Sequence, residues 1–371
     1  MTDSPGRLTL AVHRGPHALD PAWDSAFGAR SFFSATPWLR HAHATAATAP
    51  YYFTARSPGG DLLAALPAHP LEDDAPYVFC RPDFVLGRTY DAPWTPDLMP
   101  ALALGGRNPS HGKAAVADPD ALGALLTTAE EQAREDGMRS VCFLYVDEDD
   151  DVLRTALTGA GYTDLAFETA YSLDVPSAAD GGFDAYRARF GRETRRRIRR
   201  DLRRLEEAGV RYELSPLTDD LIDRIAPLEL NLYAKYGTPA DADAFRRVLT
   251  SVATNTGDTA RVLTAELDGR LAGFVLFFTH RGEMYARQTG YDYEAKGDTP
   301  LYFGLLYYEL LRLAVTEDVT AIHYGTGSGD VKLSRGCTGR AQLAYVKAFD
   351  PQTGVRLAEL KLADHGADIP A

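Results

Sequence analysis

Between residues 192 and 209 apolar positions are sparse but periodic. Ile198, Leu202 and Leu205 recur at i, i+4 and i+7, which predicts a helix that docks along one narrow stripe and stops at Gly209. Val210–Leu214 then reads as a strand. Upstream, Asp118-Pro119 supplies a cap and a first-turn proline. Leu122, Leu125, Leu126, Ala129 and Ala133 follow at helical spacing, and Gly137 closes the helix. The run Ser140–Val146 predicts a strand, Val152–Leu157 a short helix ending near Gly161, and Ala166–Val175 another strand. In the second half, Leu221–Tyr236 and Ala242–Thr254 read as helices. Arg261–Leu267, Leu271–Thr279 and Glu283–Gly290 read as an antiparallel meander, the first two strands joined at Asp268-Gly269. Thr299-Pro300 opens a further helix reaching about Val315, and Thr320–Tyr324 is a strand ending in the loop Gly325–Gly329.

The stretch Pro176–Gly182, PSAADGG, is the best linker candidate. With 371 residues, more than one core usually organises, it predicts two domains, 1–178 and 183–371, each an α/β (α+β) unit with helices around a mixed, mostly antiparallel sheet. Hydrophobic residues are 45% and charged residues 25%, which excludes a disordered or fibrous chain. The longest apolar runs, such as Leu271–Phe278, are strand-length, and the start MTDSPGRLTL has no signal-peptide core. The expectation is a cytoplasmic protein with no membrane partner. Cys80, Cys142 and Cys337 lie far apart, and nine histidines are scattered without ligand spacing, so neither a disulfide framework nor a bound metal is expected.

Charge alters this picture at one place. Arg187–Arg204 holds ten arginines against Glu193 and Asp201, a local +8; subtracting it from the net −13 leaves about −21 for the rest of the chain. A solvated face is the plain reading of a charge run. So many arginines with so few acidic partners at i, i+4 repel one another, however, unless an anion relieves them. Arg196, Arg200 and Arg203, pointing away from the apolar stripe, are therefore candidates for phosphate, which the guanidinium fork bonds bidentately. The loop Gly105–Lys113, GGRNPSHGK, offers Arg107 and Lys113 as a second phosphate candidate.

A basic helix, a three-strand meander, a loop, a helix and a further strand form the element order of the GCN5-related N-acetyltransferase (GNAT) fold. Two such units in tandem resemble the Fem-type aminoacyltransferases. The segment TRRRIRRDLRRLEEAGVRYE resembles the basic stretch opening the second unit of Fem-like and related N-acyltransferases of secondary metabolism. MYARQTGYDY at 284–293, LYFGLLYYELL at 301–311 and GTGSGDVKLSRG at 325–336 resemble a bacterial "peptidoglycan biosynthesis/recognition" group of predicted N-acyltransferases. The resemblance covers 183–349, and the first half by architecture and by the phrases WTPDLMPALALGGR and SVCFLYV. It implies an amide-forming acyltransferase without a tightly bound cofactor. The donor would be an acyl group on CoA, on the phosphopantetheine of an acyl or peptidyl carrier protein, or on aminoacyl-tRNA, and the acceptor a small-molecule or peptide amine. Non-catalytic binding on the same fold is the remaining alternative.

The chain departs from the family pattern in two places. The glycine-rich loop that usually holds the CoA diphosphate before the long helix is replaced by Asp292–Thr299, with one glycine and three acidic residues. The related group favours a histidine where Tyr302 stands and a carboxylate near Gly304. The candidate transfer residues are Arg287 in the third meander strand, Tyr302 as an acid, Lys332 and Arg335 in the glycine-rich loop, and His323 on the short strand before it. Glu283 and Asp292 join His323 as candidate bases. No GxSxG or Cys/His pattern supplies a nucleophile, so direct transfer is expected.

Overall fold

The computed structural model describes residues 8–364 apart from 17–18, 20, 28–30, 76, 92 and 236–240. The described residues form thirteen strands in chain order. In the first half they are β1 (Thr9–Arg14), β2 (Tyr51–Arg56), β3 (Leu62–Leu71), β4 (Ala101–Leu104), β5 (Ala115–Val116), β6 (Ser140–Asp147) and β7 (Thr163–Asp174). The second half adds β8 (Arg211–Pro216), β9 (Ala260–Leu267), β10 (Arg270–His280), β11 (Glu283–Tyr291), β12 (Ala321–Gly325) and β13 (Thr338–Ala348). The same pattern occurs twice. The order β1-β2-β3-β4-β6 is antiparallel except for the parallel pair β4/β6, and β8-β9-β10-β11-β12 is antiparallel except for the parallel pair β11/β12. Each parallel pair is joined by a long helix, because parallel neighbours need a crossover.

The chain separates into two units, one running to Thr169 and resuming at Arg340, the other spanning Ala170–Gly339. This grouping differs from the division expected at 178–183. The linker candidate is only a turn before the helix Gly182–Ala188. The chain instead leaves unit 1 within β7 and returns within β13. The end of β7 pairs with β12, Tyr171–Asp174 against Ala321–Gly325, and β13 pairs antiparallel with β6. The end of β7 thus belongs to the sheet of unit 2, and β13 from Arg340 on to the sheet of unit 1.

Unit 1 packs both faces of its sheet. On one face lies the helix Pro119–Glu135 with Leu122, Leu125, Leu126, Ala129 and Ala133 buried; Asp118 caps it by accepting from the Asp120 and Ala121 amides at 2.9 and 3.4 Å. On the other lie the helix Pro82–Tyr90 and the C-terminal helix Pro351–Asp364, with Leu86 and Leu357 in the core. The three cysteines are buried and form no disulfide among the described residues. No helix among the described residues is long and apolar enough to cross a membrane.

In unit 2 the arginine helix runs Arg192–Glu207 with Ile198, Asp201 and Leu205 buried, and Gly209 takes φ +66° just beyond it. It packs beside the crossover helix, which begins at Leu301, widens to π geometry over Gly304–Glu309 and ends at Thr316. The expected Thr299 cap is absent, since Pro300 occupies the N-cap position. On the opposite side the helices Asp219–Lys235 and Ala242–Thr256 cover β9–β11. The expected last residue of the first of these, Tyr236, lies outside the described residues.

Candidate active site

The parallel ladder between β11 and β12 is short. It holds Glu283–Tyr285 against Ala321–His323 and then stops, while β11 continues to Tyr291. Just past that point β11 carries a bulge, because Leu276 faces Gln288 and Phe277 faces Ala286. Arg287 is the extra residue. A bulge takes backbone groups out of the ladder and turns its side chain, and such features gather beside active sites.

Above the bulge sits a carboxylate that the sequence did not single out. Glu229, on the helix Asp219–Lys235, is 3% exposed, and both its oxygens accept from Gln288 Nε2, at 3.0 and 3.2 Å. The helix is seated directly on β11, because a Cβ at Gly290 would lie 2.4–2.6 Å from the Leu228 and Glu229 backbone. Burial pushes the Glu229 carboxyl up to about 7, against the smaller opposing effects of the Gln288 amide and the Arg287 charge. A raised carboxyl pKa means the folded chain holds the proton more tightly than the unfolded one. Wild type should therefore lose stability relative to E229Q as pH rises from about 4.5 to about 7, by about 3 kcal/mol in total. The two chains should differ little below that window, as urea titrations across pH would show.

The candidate bases from sequence are otherwise engaged. Asp292 Oδ1 accepts from the Glu294 and Ala295 amides at 3.0 and 2.9 Å, and Oδ2 from Arg270 at 2.9 Å. The Ala295 amide bond, helped by Arg270 and the Glu294 amide, holds its pKa below the usual range. Its carboxylate occupies two backbone donors of the very loop where a diphosphate would be expected. His323 Nε2 lies 3.0 Å from Glu283 Oε2, which also accepts from the Tyr285 hydroxyl at 2.8 Å, and the imidazole stacks on the Tyr285 ring at 4.6 Å. Two of the predicted bases are thus one pair across the parallel ladder, Glu283 at its first rung and His323 at its last.

Lys332 and Arg335 turn inward. Lys332 is 6% exposed, and its ammonium donates to the Tyr324, Gly325 and Thr326 carbonyls at 2.9, 2.9 and 2.7 Å, so its three N–H groups fasten the glycine loop. Arg335 is 1% exposed, lies 3.9 Å over the Phe303 ring and reaches Asp201 Oδ2 at 3.4 Å; Tyr308 donates to the same oxygen at 3.0 Å. Both side chains are thus engaged within the fold. Tyr302 is half-buried among the Tyr291, Phe303 and Tyr307 rings, and Gly304 has no room for a carboxylate, since a Cβ there would lie 2.5 Å from the Tyr212 hydroxyl.

The arginine face is exposed as predicted. Arg192, Arg195, Arg196, Arg199 and Arg200 make no ion pair or side-chain hydrogen bond among the described residues. Arg203 is only 3.6 Å from Glu207. Arg192, Arg196, Arg199, Arg200 and Arg203 fall on the face away from Ile198, Asp201 and Leu205, over about 16 Å of helix, with Arg195 at its flank. At its end Arg204 donates to the Asp298 carbonyl at 2.6 Å, which sets the C-terminal end of the helix beside the loop that Asp292 opens. In unit 1, Lys113 is neutralised by Asp147 and by Asp150 at 3.8 Å. Arg107 is buried over the Tyr77 ring at 3.8 Å and bonded to Thr45, at the edge of a small recess shared with Asn108 and His111. The loop's glycines serve close packing: a Cβ at Gly106 would lie 1.9 Å from the Phe33 oxygen, and one at Gly112 2.1 Å from that of Leu144.

The model of the acetyltransferase (GNAT) domain family matches residues 192–333. No curated protein matches the chain. Among solved structures the chain is similar to FemX, with a TM-score of 0.64, 12% identity, and 95% of this chain and 100% of that one covered. It is also similar to L-PGS from Bacillus licheniformis, with a TM-score of 0.51, 12% identity and 82% and 88% covered. A tandem GNAT protein from the clavulanic acid biosynthesis pathway gives a TM-score of 0.50, 15% identity and 93% and 99% covered. At these identities the likeness is one of fold. Residues 192–333 are therefore similar to the acetyltransferase (GNAT) domain family, and the chain shares the fold of FemX and of the tandem GNAT protein.

Proposed function

We propose that the chain is an N-acyltransferase that joins an activated acyl group to an amine by direct transfer, with the donor carried as a thioester on phosphopantetheine. The observation that carries this reading is the pairing of a closed loop with an open basic face. Asp292 fills two backbone donors of the loop that would otherwise take a diphosphate, and the exposed arginines lie along the helix whose C-terminal end bonds that loop through Arg204. Free acetyl-CoA thus lacks its usual seat, whereas a phosphate on the arm of an acyl or peptidyl carrier protein meets Arg192, Arg196 and Arg200. The acyl group would lie where β11 and β12 part, with bulge backbone groups opposite the developing oxyanion. Direct transfer fits the cysteines, because burial pushes the Cys337 thiol up to about 12 and Cys142 higher still. No metal enters this reading. Secondary metabolism and a cytoplasmic setting belong to it as well.

A second reading, transfer from aminoacyl-tRNA, is favoured by the regular arginine spacing, which can follow a phosphate backbone, and by the fold shared with FemX. The test is to incubate the full chain with acetyl-CoA, an acylated carrier protein or aminoacyl-tRNA and a panel of amines, and to weigh products and protein. An amide from the carrier-bound donor, with no mass added to the protein, is expected. Amide from charged tRNA alone would select the second reading. An acyl-enzyme adduct, or no amide from any donor, would contradict direct transfer.

A further inference from the structure

Glu229 is costly where it stands. Its carboxyl is buried, and among the described residues the side chain bonded to it is the neutral amide of Gln288, which reaches both oxygens. A buried carboxyl with one neutral donor is less favourable than an apolar residue of similar size at the same position. Its neighbours Ile222, Ile225 and Ala226 are apolar core, so packing alone does not ask for an acid. The position is nevertheless fixed closely. Gly290 lets the Leu228–Glu229 backbone rest on β11, and Gln288 and Arg287 are the bulge residues beneath it. The charged and titratable groups facing it are Arg287 from β11 and Tyr233 from its own helix.

We propose that Glu229 takes the proton from the acceptor amine as that amine attacks the acyl carbon at the bulge of β11. The inference rests on the acyl-transfer reading above and names its proton acceptor. In the step, the amine nitrogen forms the C–N bond, one N–H proton passes to the Glu229 carboxylate, and the C–S bond to the donor breaks with its electron pair on sulfur. The proton then leaves Glu229 for the thiolate or solvent, restoring the carboxylate. A carboxyl titrating near neutrality suits this exchange better than an ordinary one, because it holds the amine's proton more firmly while still being ionised at the upper end of the working range.

The experiment measures kcat and kcat/KM against pH for the full chain and for E229Q, E229D and E283Q, using whichever donor and amine support transfer by wild type, with folding of each variant checked by circular dichroism. Wild type should gain activity through an acid limb near pH 7, and R287M, which removes a neighbouring positive charge, should move that limb upward. E229Q should lose at least about 100-fold in kcat together with the limb, E229D should retain part of both, and E283Q should keep the limb. An E229Q chain with wild-type kcat, or with the wild-type limb, overturns the role of Glu229 alone. A wild-type chain with no transfer overturns the reaction reading, and the role of Glu229 with it.

Discussion

Arg335→Ala lowers the unfolding free energy of the chain by about 3–5 kcal/mol, the usual consequence of removing one partner from a buried ion pair. Asp201 is left with the Tyr308 hydroxyl as its donor, inside the layer between the arginine helix and the crossover helix. The Phe303 ring loses the guanidinium that covers it at 3.9 Å. The pair Asp201→Leu with Arg335→Met should recover much of that loss, because the cost lies in the stranded charge. Urea unfolding of the single and double variants checks both statements. A normally stable Arg335→Ala chain that fails only in transfer would return Arg335 to a catalytic role.

Reversing Arg192, Arg196 and Arg200 to Glu weakens donor binding by about 100-fold or more at low salt, on roughly 1–1.5 kcal/mol for each charge-assisted hydrogen bond to phosphate that is removed. All three are exposed and lack acidic partners among the described residues, so reversal disturbs little of the fold and removes repulsion within the helix. The wild-type dissociation constant should rise steeply with salt, and the triple variant's should be nearly flat. Fluorescence anisotropy of a labelled carrier protein or tRNA at several salt concentrations reads both effects. Equal affinity of the two proteins would make the arginine face merely solvated.

Local signals in the sequence carry much of the fold. Asp118 and Gly137 bound their helix where the cap and the left-handed glycine require. The meander appears at β9, β10 and β11, and Arg196, Arg200 and Arg203 point outward as the Ile198 stripe demands. The exchange of β7 and β13 is not legible this way, because a strand's alternation tells which faces it buries and not which strand it joins. Lys332 and Arg335 look like ligand residues in a glycine loop, and only the folded chain shows their charges spent on carbonyls and on Asp201. Asp292 bears the sign of a cap, an acid three residues before Ala295, which competes with any role as a base. Glu229 left a trace that could have been read: it falls four residues after Ile225 and seven after Ile222, an acid within an apolar helical stripe.

Native mass spectrometry of the full chain, titrated in parallel with acetyl-CoA, an acylated phosphopantetheinyl carrier protein and aminoacyl-tRNA, tests the donor assignment most directly. The account predicts a complex with the carrier-bound donor that Arg192, Arg196 and Arg200 reversal abolishes, and little binding of acetyl-CoA. Tight binding of acetyl-CoA that survives the reversal, or binding of no donor, would contradict it.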